Sequence, residues 1–203
     1  MSQRVIIGLT GNIATGKSAV MRMAAERGAL TIDADRVVHE LMDGDATIQA
    51  TVAEAFGPDV RRVDGRIDRG TLGKIVFEDP DQLRRLERLL HPAVRGEIAR
   101  RVADSSADVV MIEAIKLLEG PLAAACDQIW VTACTRETQL ARLRICRGLD
   151  EAAANARIDA QTPQAEKIAR ADVVIRTDGL MEDTQAQFEV AWAGAGVVED
   201  SAA

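Results

Sequence analysis

The sequence predicts an α/β fold in which a central parallel sheet is flanked by helices. Three observations predict it. Short continuous apolar runs recur along the chain with helical patterns between them, a glycine-rich turn follows the first run, and one long stretch lacks any strand-like run. Short apolar runs bounded by turn residues suit strands buried on both faces, as parallel strands are. Their alternation with helices implies right-handed crossovers.

In chain order, Val5 to Thr10 is the first strand, followed by a glycine-rich turn and a helix from about Ser18 to Arg27, with Gly28 at its C-terminal stop. Ala29 to Ile32 is the second strand and runs into Asp33-Ala34-Asp35. Asp108 to Glu113, Gln128 to Ala133 and Asp172 to Ile175 are the third, fourth and fifth. Residues 36–104 hold no convincing strand and read as a helical, substrate-binding insertion. Leu83, Leu86, Leu89 and Leu90 mark a helix face there, and Pro92 is expected to interrupt it. Residues 135–170 are helical in pattern and carry Arg136, Arg142, Arg144, Arg147, Arg157 and Arg170, as an anion-closing lid does. The tail from Gly194 is expected to fray. The whole, residues 1–203, reads as one domain with an insertion.

Composition narrows the function. With 32 acidic and 25 basic residues the net charge is −7, which excludes broad attraction to nucleic acid or acidic lipid. Aromatics are 2%, too few for a base-stacking platform. Cys126, Cys134 and Cys146 form no CxxC pair, and two histidines build no His-rich metal site. Isolated thiols fit a reducing cytoplasm, and no run approaches the length of a membrane span. Small-molecule substrates are therefore expected, with no nucleic acid or membrane partner, in a monomer or small homo-oligomer.

Gly11-Asn12-Ile13-Ala14-Thr15-Gly16-Lys17-Ser18 matches G-x-x-x-x-G-K-[ST] at every fixed position, after a buried strand and at the start of a helix. Glycines let such a loop turn successive N–H groups toward phosphate oxygens, and the helix adds its positive end. Lys17 then reaches the β- and γ-phosphates of ATP, and the Ser18 hydroxyl ligates Mg²⁺. Asp33 and Asp35 close the second strand, where a carboxylate accepts the proton of an attacking hydroxyl or holds Mg²⁺ through water. Simple capping of a helix from Arg36 is the plainer use of Asp35. Glu113 and Glu119 stand where a carboxylate supports Mg²⁺ after the third strand, a weaker signal. His91 before Pro92 reads as structural. Among the lid arginines, Arg144 and Arg147 share a helix face and Arg142 points elsewhere. Any of them on phosphate stabilises charge in transfer.

GTPase strings D-x-x-G and N-K-x-D are absent, which leaves small-molecule and nucleotide kinases. The ordered set of Gly8-Leu9-Thr10-Gly11, Asp33-Ala34-Asp35, Gly65-Arg66-Ile67-Asp68-Arg69, His91-Pro92, Gln139-Leu140-Ala141-Arg142-Leu143, Arg147-Gly148, Gln161, Lys167 and Ala171-Asp172 resembles the dephospho-CoA kinase family over roughly residues 5–180. The resemblance implies a P-loop kinase fold with a nucleotide core, a CoA-binding helical part and a lid. It implies transfer of the γ-phosphoryl of ATP to the ribose 3′-hydroxyl of dephospho-CoA. It further implies Asp35 as base, with Lys17, Arg142, Arg147 and Asp33 assisting. Residues 11–18 with Arg142, Thr177 and Gly179 then face ATP, and Thr10, Asp33, Asp35, Arg69 and His91 face the substrate. The competing readings are another P-loop nucleotide or sugar-acid kinase and a non-catalytic ATP-binding regulator. The chain departs from the family pattern at Glu113-Ala114-Ile115-Lys116-Leu117, where Asp-x-Pro-Leu-Leu is usual. It departs again at Arg176-Thr177-Asp178-Gly179, where asparagine is frequent, and at Asn12 and Ala14, where glycines are common.

Overall fold

The computed structural model describes residues 4–196. The elements are β1 (Val5–Thr10), α1 (Lys17–Glu26), β2 (Leu30–Asp33), α2 (Ala34–Gly44), α3 (Ala46–Phe56), α4 (Arg69–Glu78) and α5 (Pro80–Asp104), then β3 (Val109–Glu113), β4 (Gln128–Ala133), α6 (Arg136–Arg147), α7 (Glu151–Asp159), α8 (Gln164–Ile168), β5 (Val173–Arg176) and α9 (Met181–Gly194). The chain divides into two compact units, one of residues up to Ile32 together with those from Ser106, the other Asp33–Ser105. Gly194 closes α9, and the part of the expected frayed tail beyond residue 196 lies outside the described residues.

The five strands form one sheet in the order β2-β3-β1-β4-β5. The β1–β3, β1–β4 and β4–β5 pairs are parallel. All five expected strands exist, shifted by at most one residue at an end. The core of this unit packs α1 and α9 on the sheet: Ile7, Leu9, Val109, Met111 and Ile175 meet Val20, Met23, Phe188 and Trp192. Trp130 stands edge-on to Phe188 at 6.0 Å between ring centroids, and Phe188 stacks on Trp192 at 5.3 Å. Much of the scarce aromatic area is thus spent under α9, where each ring buries the most surface. β5 is a sheet edge, and the Gln187 side chain accepts from the Arg176 N–H (2.8 Å) and donates to its carbonyl (2.9 Å), occupying backbone groups that invite a foreign strand.

The second unit is helical. Each long helix begins on an aspartate whose carboxylate takes first-turn N–H groups: Asp33 for α2, Asp45 for α3, Asp68 for α4 and Asp79 for α5. Helices α2, α3 and α4 pack against α5, whose buried stripe Leu86, Leu90, Val94 and Ile98 repeats every four residues. Two expectations change. Pro92 does not interrupt the helix, which runs 25 residues through it. Proline removes one N–H and crowds the carbonyl four residues back, but the buried stripe continues on both sides and holds the axis together. Leu83 and Leu89, expected in the core, are only half-buried. The other change is at the α2 start: the helix begins at Ala34, so Asp33, not Asp35, is its cap and accepts the Arg36 N–H at 3.0 Å. Among the described residues no helix is long and apolar enough to cross a membrane.

Arg101 joins α5 to α2 by donating to Glu97 (2.8 Å) and Glu40 (2.5 Å). Hydrogen bonds from Arg100 and then Arg101 hold the Glu97 carboxyl down at about 2, from an ordinary 4.5. A carboxylate with a depressed folded pKa stabilises above the unfolded value and loses that contribution as pH falls through the folded one. Glu97→Gln is therefore expected to cost about 1 kcal/mol at pH 7. That corresponds to roughly 2–4 °C in Tm. Thermal melts should show the gap to wild type closing between pH 4.5 and about 2; a gap unchanged at low pH would refute the assignment.

Candidate active site

Residues 11–16 connect β1 to α1, and their carbonyls are held one by one. Lys17 Nζ donates to the carbonyls of Gly11 (3.1 Å) and Asn12 (3.4 Å), and Thr15 Oγ also donates to Asn12 O (2.8 Å). Gln139 Nε2 donates to Ile13 O at 2.7 Å, Arg142 Nη1 to Ala14 O at 3.1 Å, and Thr177 Oγ to Thr15 O at 2.9 Å. A trans peptide points its N–H opposite to its C=O. Fixing the carbonyls therefore fixes the N–H groups on the other side of the loop, where α1 adds its own unsatisfied first-turn donors. The result is an anion cradle of the size and polarity a polyphosphate needs.

Two glycines make the close turns. Gly11 has φ 153°, and a Cβ there would lie 2.6 Å from the Thr132 carbonyl oxygen, a backbone atom that cannot give way. Gly16 has φ 89° and is the N-cap of α1. Ala14 takes φ 61° without being glycine, a left-handed conformation that other residues rarely adopt.

Lys17 is buried and its Nζ lies 3.6 Å from the Glu113 carboxylate at the end of β3. Ser18 is exposed in the first turn of α1. The chain after Glu113 turns without the usual proline. Instead, the Ile115 carbonyl accepts from Thr10 Oγ (3.1 Å) and from Lys167 Nζ (2.8 Å). Lys167, from α8, is 3% exposed. Burial pushes its ammonium below the ordinary pKa, the Glu119 carboxylate pulls it back up, and the like charge of Lys17 pushes it down again. Each of these two buried cations has a carboxylate acting on it, Glu113 for Lys17 and Glu119 for Lys167.

Of the six arginines in residues 135–170, Arg142 is the one that reaches the loop, also donating to Thr177 Oγ (3.0 Å) and to the Thr177 carbonyl. Arg147 ends α6 exposed, Arg144 pairs with Glu151 at 3.9 Å, and Arg136 ties α6 to α7 through Asp159 (2.7 Å). Arg170 donates to Leu118 O. This segment is not loosely held: Leu143, Ala154 and Ile158 form a buried cluster, with Ile13 and Ala14 of the loop packed against it. Thr177 also lines Gly16, whereas Gly179 sits against Asp183 of α9. Thr10 is fully buried. In the helical unit, Asp33 caps α2, Asp35 lies exposed in its first turn, Arg69 pairs with Asp43 (2.6 Å), and His91 is half-buried within α5.

Gln139, Gln161 and Lys167 belong to this site, and the sequence assigned them no role. Gln161 accepts from the Ile13 N–H at 2.7 Å, and Asn12 Nδ2 donates to Thr162 O at 3.0 Å. The available signal was a polar residue on an apolar stripe: Gln139 stands one turn before the buried Leu143 and is itself buried.

Known proteins share both sequence and fold. Residues 5–183 match the family described as dephospho-CoA kinase. A dephospho-CoA kinase of Symbiobacterium thermophilum is 44% identical over 94% of this chain and 81% of its own length. A crystal structure of a Thermus thermophilus protein superposes with a TM-score of 0.82 at 30% identity, over 95% of this chain and 98% of that one. The dephospho-CoA kinase from Campylobacter jejuni gives a TM-score of 0.61 at 25% identity, over 95% and 97%.

The buried Lys167 makes a pH prediction. Its folded pKa is lowered, so between that value and the ordinary 10.5 the unfolded chain binds more protons and stability rises with pH. Lys167→Met removes this slope. Urea melts are expected to show the variant at least as stable as wild type at pH 7 and to show wild type gaining on it toward pH 10.5. A pH-independent difference would contradict the burial argument.

Proposed function

The chain belongs to the dephospho-CoA kinase family, and from that premise we propose how its residues move the γ-phosphoryl group of ATP to the ribose 3′-hydroxyl of dephospho-CoA, the last step of CoA biosynthesis. The observation that carries the proposal is the loop itself, with its carbonyls held from Gly11 to Thr15 and Lys17 at the head of α1. Residues 11–18 take the phosphates, and Arg142 and Thr177 flank them, with Gly179 nearer the base. Lys17 neutralises charge on the transferring group. Asp35 accepts the proton of the attacking hydroxyl as its oxygen bonds to phosphorus, and the electron pair of the breaking P–O bond leaves on ADP. The capping role of Asp33 supports this division: Asp35 is not the cap and stands exposed in the first turn of α2. Asp33, Thr10, Arg69 and His91 are the substrate-side residues carried over from the family pattern, Arg69 opening α4 of the CoA-binding helical unit.

The oxygen donors here suit Mg²⁺: the exposed Ser18 hydroxyl and the Glu113 carboxylate at the end of β3 are hard ligands. Among the described residues no group of three or more His, Cys, Asp or Glu is placed to hold a metal ion. When bound, Mg²⁺ would be held by these oxygens of Ser18 and Glu113 and would supply neutralisation of phosphate charge. The free thiols Cys126, Cys134 and Cys146 support a cytoplasmic location, and we place the enzyme there as a monomer or small homo-oligomer.

ADP release by purified protein with ATP and Mg²⁺ tests the assignment. Dephospho-CoA is expected to be the preferred acceptor over AMP, CMP and gluconate, and a faster rate with any of these would overturn it. Under the same assay Lys17→Ala is expected to lose about 10²-fold or more in kcat/KM. Asp35→Asn should lower kcat by roughly 10²–10⁴ with dephospho-CoA binding little changed; activity retained in Asp35→Asn and lost in Asp33→Asn would reverse the two roles. The contrast between lid arginines is sharper. Arg142→Ala should cost at least about 10-fold in kcat, whereas Arg147→Ala tests a side chain that the free protein leaves in solvent. A loss from Arg147→Ala as large as that from Arg142→Ala would show that α6 presents Arg147 to ATP only on closure.

A further inference from the structure

The peptide between Ile13 and Ala14 is the strained joint of the phosphate loop. Its carbonyl, Ile13 O, accepts from Gln139 Nε2 at 2.7 Å, and Ala14 on its other side stands at φ 61°. Rotating this peptide by half a turn would move Ala14 back to negative φ and relieve the left-handed strain of an L-residue. It would also reverse the dipole: the Ala14 N–H would leave the cradle and the Ile13 oxygen would enter it, facing an anion with a carbonyl. Something must hold the peptide in the strained orientation before a ligand is there. Gln139 is placed to do so. It is 4% exposed and projects from α6 one turn before the buried Leu143, so its amide is shielded from water. Gln161 completes the grip by accepting from the Ile13 N–H at 2.7 Å, so both polar groups of Ile13 are held by glutamine amides from residues 135–170.

We propose that Gln139 is a positioning residue for phosphoryl transfer: its amide holds the 13–14 peptide flipped, keeps Ala14 left-handed, and so aims the Ala14 N–H at the ATP phosphates. It acts through the backbone and touches no substrate atom. In this chain, with alanine where glycine is common, the hydrogen bond offsets a strain that a glycine would not have. The inference rests on the ATP-site assignment above and concerns binding of the nucleotide, not the identity of the acceptor.

The test is a double-mutant cycle between positions 139 and 14, read by the Kd for ATP with Mg²⁺ and no acceptor present. Gln139→Met keeps length and apolar packing and removes the donor. It is expected to weaken ATP about 10-fold, the loss expected when a preorganised phosphate donor is misdirected. Ala14→Gly introduced into that variant is expected to restore at least about 5-fold of that loss, up to full recovery, because glycine holds φ 61° without strain. Each value is read against Ala14→Gly alone, so the cycle isolates the coupling. A merely structural role for Gln139 predicts a lower Tm and no rescue by glycine, and that outcome would overturn the proposal. So would an unchanged Kd in Gln139→Met. Should that variant fail to fold, the isosteric Gln139→Glu, which turns the donor into an acceptor against Ile13 O, serves the same cycle. Turnover of dephospho-CoA by wild type is measured in parallel: its absence would sink the acceptor assignment while leaving the ATP Kd cycle interpretable.

Discussion

Everything in the nucleotide-facing unit depends on which way a short run of peptide planes faces. A loop that binds phosphate must present N–H groups and hide carbonyls, and an isolated loop has no reason to prefer that arrangement. Here the carbonyls are taken, in order, by Lys17, Thr15, Gln139, Arg142 and Thr177. Those side chains come from α1, the loop itself, α6 and the turn after β5. The parallel sheet brings these segments together because β1 lies between β3 and β4, with β5 next to β4. The strand order is thus a condition for the chemistry, since it delivers donors from distant sequence to the carboxyl ends of the central strands.

Charge follows the same logic. The chain carries a net charge of −7, yet it buries Lys17 and Lys167 and turns Arg142 onto Ala14 and Thr177 of the same unit. Lys167 also shapes the turn after β3: its ammonium and the Thr10 hydroxyl converge on the Ile115 carbonyl.

Residues 135–170 are packed onto the phosphate loop. Leu143, Ala154 and Ile158 are buried with Ile13 and Ala14 against them, and two glutamines grip the loop. Arg144 and Arg147 are free of such packing, and Arg142 is already committed to Thr177 and Ala14.

The sequence alone determined the features that depend on near neighbours. The five strands were legible from apolar runs, and the motif from Gly11 to Ser18 from its spacing; the strand-free stretch after Asp35 was legible from its helical periodicity. Hydrogen bonding and burial within a few residues dictate such things. Other features needed the tertiary structure. Pro92 reads locally as a breaker, yet α5 continues through it because burial along Leu86, Leu90, Val94 and Ile98 outweighs one lost hydrogen bond. Which aspartate caps α2 turned on where the chain leaves β2, a matter of strand register that shifted the helix start by two residues. Six arginines looked equivalent in sequence, and only the crossing of α6 over the loop singled out Arg142. Gln139 stood in the family-like stretch Gln139 to Leu143, but nothing in the sequence assigned it a role. Its role comes from a carbonyl 126 residues away in the chain, and a hydrogen bond across that separation exists only once the sheet has brought its two ends together.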